Sequence, residues 1–289
     1  MVWHDPTTSA LIDLALREDL GTGDVTTLST VSAGTRAEVR VVAKEPLVVA
    51  GLEVFTETLR RTTPDVEVRP EVYDGAKVAV GDVVARASGA AAGLLMGERV
   101  ALNFLQRLSG VATLTRTMAE ALGAFPATRL VDTRKTTPGM RSLEKAAVRA
   151  GGGHNHRFGL ADGVLIKDNH IAAAGGITAA VARARQVAHH LLKIEVETTT
   201  LDEVQEALSA GADVLLLDNM SDDLLRQAVA LVRAEEARSA RRVLTEASGN
   251  MGLARLPQVG AIGVDFVSVG ALTHSARAVD LSMKLELLP

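Results

Sequence analysis

The part of the chain from residue 130 onward alternates short apolar segments with longer helical ones. The apolar segments are rich in valine, leucine and isoleucine, which favours strands at 130–131, 164–166, 194–196, 214–217, 243–244 and 266–269. Helical spacing of apolar positions indicates helices at 177–191, 201–210 and 224–236. Alternation of this kind predicts an α/β fold, with a parallel sheet as an open doubly wound sheet or a closed or open (β/α) TIM-like barrel.

The N-terminal part has a different pattern. Apolar positions at helical spacing indicate helices at 10–20, 54–61 and 94–123. Strand-like alternation and valine-rich pieces punctuated by glycine occur at 37–49 and 72–87. The second of these pieces is similar to the half-barrels of lipoyl or biotinyl carriers, but Lys77 precedes a valine-rich run instead of occupying a hairpin tip. We therefore predict a small β-sandwich-like unit that is not a carrier.

Composition excludes several classes of protein. The 289 residues carry a net charge of -4, 47% hydrophobic residues, 2% aromatic residues and no cysteine. The lack of cysteine excludes disulfides, thiolate metal sites and cysteine nucleophiles, and mild acidity without aromatic-basic interleaving argues against a nucleic-acid surface. No stretch approaches the ~20 apolar residues of a membrane span, and residues 1–20 lack a signal-peptide pattern. We expect a cytoplasmic protein without nucleic-acid or membrane partners.

The segment 129–170 is locally cationic in this acidic chain. Arg134, Lys135, Arg157 and Lys167 follow predicted strands or lie in a glycine-rich loop, where binding groups concentrate. Arginine and lysine neutralise carboxylates and phosphates, arginine with two-pronged geometry. The segment therefore predicts a site for a small polyanion.

Polar residues also end the later strands, and in parallel α/β folds these carboxyl ends open on one face. Glu197 and Asp218 end neighbouring strands, which predicts a Mg²⁺ site that retains several waters. Glu195 points the same way as Glu197, and the spacing does not distinguish their roles. Ser248-Gly249 and Gly270 leave backbone N–H groups accessible to a phosphate.

Four other kinds of site have weaker support: a P-loop, a serine hydrolase, a zinc site and a Schiff-base lysine. The three glycines at 151–153 lack the Gly-Lys-Ser/Thr ending of a P-loop, and Ser248 lacks a nucleophile elbow. A candidate zinc cluster comprises His154, His156 and His170. The cations around it would repel a metal ion. A Schiff base on Lys135 or Lys167, as in aldolase-like barrels, stays open.

Two motifs are highly specific: Asp-Thr-Arg-Lys-Thr-Thr-Pro-Gly at 132–139 and Gly-Gly-Gly-His-Asn-His-Arg at 151–157. Further matching segments lie at 15–21, 102–110, 165–170, 194–197, 217–220, 247–250 and 269–275. With these motifs, nearly the whole chain resembles the quinolinate phosphoribosyltransferase family. The resemblance implies an N-terminal α/β sandwich (hammerhead-like) domain of residues 1–114, completed by 274–289, and an open α/β barrel of residues 115–273.

The resemblance also implies an activity and an assembly. The family converts quinolinate and 5-phosphoribosyl 1-pyrophosphate to nicotinate mononucleotide, pyrophosphate and carbon dioxide in de novo NAD synthesis, with Mg²⁺ as cofactor. It implies a homodimer, with hexamers left open, in which the helix carrying Arg107 reaches the partner's active site. By helical spacing alone, Arg107 would be a solvated charge.

Residue roles carry over from the family by motif. The resemblance implies that the carboxylates of quinolinate are held by Arg107 from the neighbour, Arg134, His156, Arg157 and Lys167. It implies a phosphoribosyl pyrophosphate and Mg²⁺ site formed by Lys135, Glu197, Asp218, Ser248, Gly249, Asn250, Ser268, Val269 and Gly270. Thr133 is implied to be a further substrate-binding residue. The catalytic residues implied are Lys135, Lys167, Glu197 and Asp218.

Two alternatives are weaker. A related phosphoribosyltransferase with another acceptor, such as the homologue found with molybdate-transport genes, would have altered dicarboxylate-binding residues. Here the four cationic residues implied to bind the dicarboxylate are all present: Arg107, Arg134, Arg157 and Lys167. A silent phosphometabolite-binding protein on the same barrel would tolerate the loss of Glu197 or Asp218, and both are retained.

Overall fold

The computed structural model describes residues 5–289, and the chain divides into two compact units. The first unit comprises residues up to 116 together with 135–153 and 271–289, and the second comprises 117–134 and 154–270. The domain bounds implied by the family resemblance stay a prediction. Within the described residues, no helix combines the length and apolar character that crossing a membrane requires.

The elements follow one another in two groups. The first group is α1 (Pro6–Leu20), α2 (Val25–Thr30), β1 (Arg36–Ala43), β2 (Leu47–Val48), α3 (Leu52–Thr62), β3 (Glu67–Pro70), β4 (Lys77–Val78), β5 (Val83–Ala90) and α4 (Ala91–Ala121). The second is β6 (Arg129–Val131), α5 (Arg141–Ala150), β7 (Val164–Ile166), α6 (Asp168–Ala174), α7 (Ile177–Val187), β8 (Ile194–Thr198), α8 (Leu201–Ala210), β9 (Val214–Asp218), α9 (Asp222–Ser239), β10 (Leu244–Ser248), α10 (Leu256–Ile262), β11 (Phe266–Ser268), α11 (Ala271–His274) and β12 (Leu281–Leu287).

A four-stranded antiparallel sheet, in the order β12-β1-β5-β3, organises the first unit. Alternate residues of β1 are fully buried, as expected of a strand with one face on a core. The C-terminal strand β12 pairs with β1 from Ala37↔Leu287 to Ala43↔Leu281. The largest fully buried side chains beneath the sheet come from α3 and α4: Phe55, Leu59, Leu94, Leu102 and Leu105. Apart from Phe55, these side chains are aliphatic, in keeping with the 2% aromatic content of the chain.

The helix α1 begins earlier than its apolar spacing indicates. The Asp5 side chain accepts a hydrogen bond of 3.1 Å from the Thr7 backbone N–H, and Pro6 occupies the first helical position. An aspartate cap followed by proline is a strong helix start, because proline lacks the N–H that would be unsatisfied there. At the other end, Gly21 has φ +50° and its N–H donates to Arg17 O at 3.1 Å.

Six parallel strands form the sheet of the second unit, in the order β6-β11-β10-β9-β8-β7. Strands β6 and β7 follow one another in the chain but lie at the two ends of this order. That is the order of a (β/α) barrel left open between its first two strands. The predicted α/β fold class, an open TIM-like barrel with a separate N-terminal sheet, is confirmed.

The strand register divides the residues of this sheet between two faces. One face carries side chains that are fully buried: Val196, Leu215, Leu217, Ala247 and Val267. On the other face, Glu197 pairs in register with Leu216 and Leu216 with Glu246. Since successive side chains alternate between faces, Glu195 and Asp218 share that second face. Four carboxylates therefore converge on one side of the sheet.

One predicted strand was misplaced. The sequence indicated 243–244, whereas β10 runs from Leu244 to Ser248 and includes Glu246. The apolar signal is short because an acidic side chain stands in a buried position of the strand.

Candidate active site

The carboxyl edge of the parallel sheet brings acidic and basic side chains together. On β8, Glu195 is buried at 7% exposure, and on β10, Glu246 is buried at 3%. Glu197 and Asp218 lie nearer the rim and are partly exposed. The structure thus distinguishes the positions of the two glutamates of β8, which the sequence could not do. Glu195 points into the interior, and Glu197 lies at the partly exposed carboxyl edge of the sheet, which we call the mouth.

His156 lies against the two interior glutamates. Its Nε2 is 3.1 Å from Glu195 Oε2 and 3.5 Å from Glu246 Oε2. Its Nδ1 accepts a hydrogen bond of 2.7 Å from the Arg157 backbone N–H. Because Nδ1 is an acceptor, the ring carries its proton on Nε2 and donates it to Glu195. Both ring nitrogens are therefore engaged by the protein.

The backbone around His156 is held by a buried aspartate that the sequence reasoning missed. Asp132, fully buried just after β6, accepts from the His156 N–H at 2.8 Å and from Asn155 Nδ2 at 2.7 Å. Asp132 precedes Thr133 and Arg134 in the specific motif at 132–139, which was the available signal. Glu246 was missed as well, although an acid inside an apolar strand marks an unusual position.

Burial and neighbouring charges change the proton affinities in this cluster. Burial, together with the negative charge of Glu195, raises the pKa of Glu246 to about 8. Burial alone would lower the pKa of His156, but the hydrogen bond to Glu195 and the charges of Glu246 and Glu195 outweigh it and raise that pKa. The cluster therefore retains protons at pH values where isolated side chains would lose them.

His156, Glu195 and Glu246 are also the one group in residues 5–289 with three or more histidine or acidic ligand atoms within 4.8 Å of one another. The three-histidine zinc alternative is not supported, since His154 and His170 lie outside this group. His170 Nδ1 instead accepts from the Lys167 N–H at 3.0 Å. Within this group His156 hydrogen-bonds Glu195, while Glu195 Oε1 and Glu246 Oε1 are buried without a hydrogen-bond partner.

Two arginines of the mouth lie close enough to repel each other. Burial, and then the charge of Arg134, lower the pKa of the Arg157 guanidinium. Arg157 Nη1 donates to Gly163 O at 3.0 Å, while its Nε is buried with no hydrogen-bond partner. Lys167 Nζ donates to Glu197 Oε2 at the rim. A pair of guanidiniums with an unsatisfied donor is the electrostatic setting for a polyanion.

Glu197 and Asp218 are the two carboxylates predicted to hold Mg²⁺. They lie on adjacent strands and the same face, since Glu197 pairs with Leu216 and Asp218 stands two residues further along β9. Asp218 Oδ2 accepts from Asn219 Nδ2 at 2.6 Å. Mg²⁺ is commonly bound by one or two carboxylates with several retained waters, so this donor set fits the ion. The magnesium site stays a prediction.

The loops after β9 and β10 interlock at Gly249. Gly249 has φ +87°, and a Cβ there would stand 2.2 Å from Asn219 Oδ1. The Asn219 N–H donates to Ser248 O at 3.0 Å, and Asn250 Nδ2 donates to Asn219 Oδ1 at 3.3 Å. The close approach of the two loops requires glycine.

The segment after β11 uses its groups differently from the expected phosphate loop. The Val269 N–H donates to Val131 O at 3.0 Å, so that amide is not available to a ligand. The Ser268 side chain acts on Glu246 and opposes the rise in the pKa of that carboxyl. The predicted phosphate contacts of Ser268, Val269 and Gly270 stay predictions.

Two predicted site residues belong to the first unit. Lys135 is exposed, and its backbone carbonyl accepts from Thr273 Oγ1 at 2.8 Å. Arg107 is only 23% exposed, and its Nη2 donates to Glu144 Oε1 at 2.8 Å. The solvated charge expected from helical spacing is therefore wrong. The prediction that Arg107 reaches a partner's active site stays untested, and in its own chain the guanidinium already has partners.

Comparisons with known proteins agree over almost the entire chain. A family model described as quinolinate phosphoribosyl transferase, N-terminal domain, matches residues 24–109, and the corresponding C-terminal domain model matches residues 111–284. The probable nicotinate-nucleotide pyrophosphorylase (carboxylating) of Bacillus subtilis is 46% identical over 270 residues, which cover 93% of this chain and 90% of the relative. The quinolinate phosphoribosyltransferase (decarboxylating) 1b of Nicotiana tabacum is 41% identical over 288 residues, covering 96% and 81%.

Solved structures show the same similarity. The crystal structure of NadC from Streptococcus pyogenes superposes with a TM-score of 0.91 at 41% identity and covers 97% of each chain. The nicotinate-nucleotide pyrophosphorylase of Francisella tularensis superposes with a TM-score of 0.88 at 35% identity, covering 97% of this chain and 96% of the other.

Proposed function

Because the chain belongs to the quinolinate phosphoribosyltransferase family, we propose that it transfers the phosphoribosyl group of 5-phosphoribosyl 1-pyrophosphate to the ring nitrogen of quinolinate. The products are nicotinate mononucleotide, pyrophosphate and carbon dioxide, in de novo NAD synthesis. The observation that carries this proposal for the site itself is that the charge of Arg134 lowers the pKa of Arg157, and that Glu197 and Asp218 lie at the same carboxyl edge of the sheet.

The cationic side of the mouth binds the dicarboxylate. The positive charges of Arg134 and Arg157 disfavour each other, and binding a carboxylate offsets that repulsion. Lys167 contributes the third charge when it exchanges Glu197 for a substrate carboxylate. His156 Nδ1 accepts from the Arg157 backbone N–H and so helps to position Arg157. The contact of His156 with the dicarboxylate stays a prediction.

The acidic side of the mouth binds phosphoribosyl pyrophosphate. Glu197 and Asp218 would hold Mg²⁺, and the ion would supply positive charge to offset the charge gathering on the departing pyrophosphate. Lys135 donates to pyrophosphate oxygens as the bond between the ribose carbon and oxygen breaks. The glycine turn at Ser248-Gly249-Asn250 gives phosphate oxygens close access to backbone N–H groups.

The chemistry requires positioning more than covalent assistance. The electron pair of the breaking C–O bond leaves with pyrophosphate, and the lone pair of the pyridine nitrogen forms the new bond to the ribose carbon. The ring nitrogen becomes cationic and so stabilises the electron pair left on the adjacent carbon when carbon dioxide departs, and that carbon then takes up a proton. Placed charges and aligned substrates supply the rate enhancement.

Assembly and location are further proposals. The family resemblance supports a homodimer, with a hexamer as the larger alternative. A cytoplasmic location is a separate proposal. Size-exclusion chromatography with light scattering tests the dimer. A monomer at all concentrations would refute it.

To test the reaction, purified protein is incubated with phosphoribosyl pyrophosphate, Mg²⁺ and either quinolinate or nicotinate. The formation of nicotinate mononucleotide and the release of carbon dioxide are then measured. We expect product and gas from quinolinate alone. A folded protein that binds phosphoribosyl pyrophosphate but forms no product from quinolinate would overturn the proposal and favour another acceptor.

A further inference from the structure

The segment from Lys135 to Thr137 is held at each residue by a side chain of the first unit. Thr273 Oγ1 donates to the Lys135 carbonyl at 2.8 Å, and Arg141 Nε donates to Thr136 Oγ1 at 3.0 Å. Glu144 Oε2 accepts from the Thr137 N–H at 3.0 Å. The backbone that carries Lys135 is therefore fixed by side chains from α5 and α11.

Glu144 is central to this arrangement. Its side chain is fully buried, and its Oε1 accepts from Thr137 Oγ1 and from Arg107 Nη2, both at 2.8 Å. One carboxylate thus grips Thr137 through both the backbone and the hydroxyl. A carboxylate removed from water needs a charged partner and satisfied lone pairs, and the contacts from Thr137 and Arg107 provide both.

Arg107 connects two sets of contacts: the clamp of Glu144 on Thr137 and the clamp of Thr273 on Lys135. Besides Glu144, its guanidinium donates to the backbone carbonyls of Thr273 and Ala276. The fully buried Thr273 is the residue whose hydroxyl holds Lys135. A single planar group on α4 therefore joins the clamp on Thr137 to the clamp on Lys135, which suits the fixed fork geometry of arginine.

We infer that Arg107 and Glu144 are positioning residues, whose ion pair fixes the Lys135–Thr137 backbone and so aims the Lys135 ammonium. This inference rests on the proposed function, because it assigns the catalytic contact to Lys135. It gives Arg107 a task within its own chain, distinct from the cross-subunit contact that the family resemblance implies. We call this ion pair of Arg107 and Glu144 the brace. It acts on Lys135 without touching substrate.

The test is a double-mutant cycle between Glu144→Gln and Lys135→Ala. A glutamine can accept at only one of its two terminal atoms, so either the Thr137 N–H or the Arg107 guanidinium loses its acceptor. In the wild-type background we expect kcat/KM for phosphoribosyl pyrophosphate to fall by about tenfold to a hundredfold, as misplaced catalytic groups cause. In the Lys135→Ala background the same substitution changes kcat/KM by less than about twofold, since the group it aims is gone. Equal losses in both backgrounds would overturn the inference.

The matched control is Glu57→Gln. Glu57 Oε1 pairs with Arg61 Nη1 at 2.8 Å within the same unit, the same distance as the pair of Glu144 and Arg107. We expect this control to leave kcat/KM unchanged. A loss equal to that of Glu144→Gln would show that breaking any ion pair of this unit suffices, and would refute a specific brace.

Amide hydrogen exchange tests the brace independently of enzyme activity. Glu144→Ala removes both acceptor oxygens and should speed exchange of the Thr137 N–H, whereas Glu57→Ala should not. Should the Glu144 variants fail to fold, Thr273→Val removes the hydroxyl that donates to the Lys135 carbonyl and should lower kcat/KM in the wild-type background alone. Unchanged exchange in Glu144→Ala, or no kinetic effect of Thr273→Val, counts against the brace. A wild-type protein that makes no nicotinate mononucleotide refutes the proposed function, while the exchange data still decide the brace.

Discussion

Glu246→Gln tests whether a buried acid retains its proton beneath the active-site mouth. The pKa of Glu246 rises from its ordinary 4.5 to about 8, because the carboxyl is buried and lies near Glu195. Glutamine has the shape of the protonated carboxyl and cannot ionise. It can also donate to the buried Glu195 Oε1, which has no hydrogen-bond partner.

The sign and size follow from proton binding. The native state holds the Glu246 proton more tightly than the unfolded chain, so the stabilisation is complete below pH 4.5 and is lost as the pH rises through about 8. The raised pKa of His156 acts in the same direction. At about 1.4 kcal/mol for each pKa unit, the rise from 4.5 to about 8 sets a ceiling of about 5 kcal/mol. We therefore expect the variant to be similar to wild type near pH 4.5 and more stable by several kcal/mol near pH 8.5.

Chemical denaturation at several pH values between 4.5 and 9 measures this difference in the free energy of unfolding. Glu67→Gln, at an exposed position of β3, is the control and should show no trend with pH. A difference for Glu246→Gln that is flat with pH, or that grows in favour of wild type as the pH rises, would refute a retained proton on Glu246.

Three further variants or conditions test the mouth. Lys135→Ala should lower kcat by about a hundredfold or more with an unchanged melting temperature, because an exposed donor to the leaving group is removed; turnover like that of wild type would remove Lys135 from the mechanism. Gly249→Ala should cost about 1–3 kcal/mol and raise KM for phosphoribosyl pyrophosphate, because a Cβ there would stand 2.2 Å from Asn219 Oδ1 at φ +87°. Gly252→Ala, whose Cβ meets nothing within 4 Å, is its control in thermal unfolding and kinetics. Chelation should abolish product formation and added Mg²⁺ restore it, whereas Glu197→Gln should raise the Mg²⁺ concentration needed for half-maximal rate; a rate independent of Mg²⁺ would contradict the metal site.

Local patterns predicted most elements of the barrel. The strand at 164–166 coincides with β7, and the helix at 201–210 coincides with α8. Local chemistry sets the boundaries of α8: Thr200 caps it with Glu203 in a reciprocal capping box, and Gly211 ends it with φ +88°. The fifth strand was displaced because Glu246 interrupts the apolar signal, and only the buried face of the sheet explains an acid there.

The candidate site was predicted in its residue types but not in its connections. Strand-end chemistry identified Glu197, Asp218 and Lys167, all of which lie at the carboxyl edge of the sheet. Spacing could not distinguish Glu195 from Glu197, since both point to one face. The contact of Glu195 with His156 and that of Glu197 with Lys167 join residues far apart in the chain.

The order of apolar and polar residues by itself determined the fold class and the cationic, acidic and glycine-rich strand ends, because these depend on periodicity and turn chemistry within short stretches. Tertiary structure alone decided the environment of each charge. Arg107 has the sequence context of a solvated helix residue, yet it is bound to a fully buried glutamate from α5. Burial and proximity set whether a charge is solvated, paired or protonated, and both arise only when segments distant in sequence pack together.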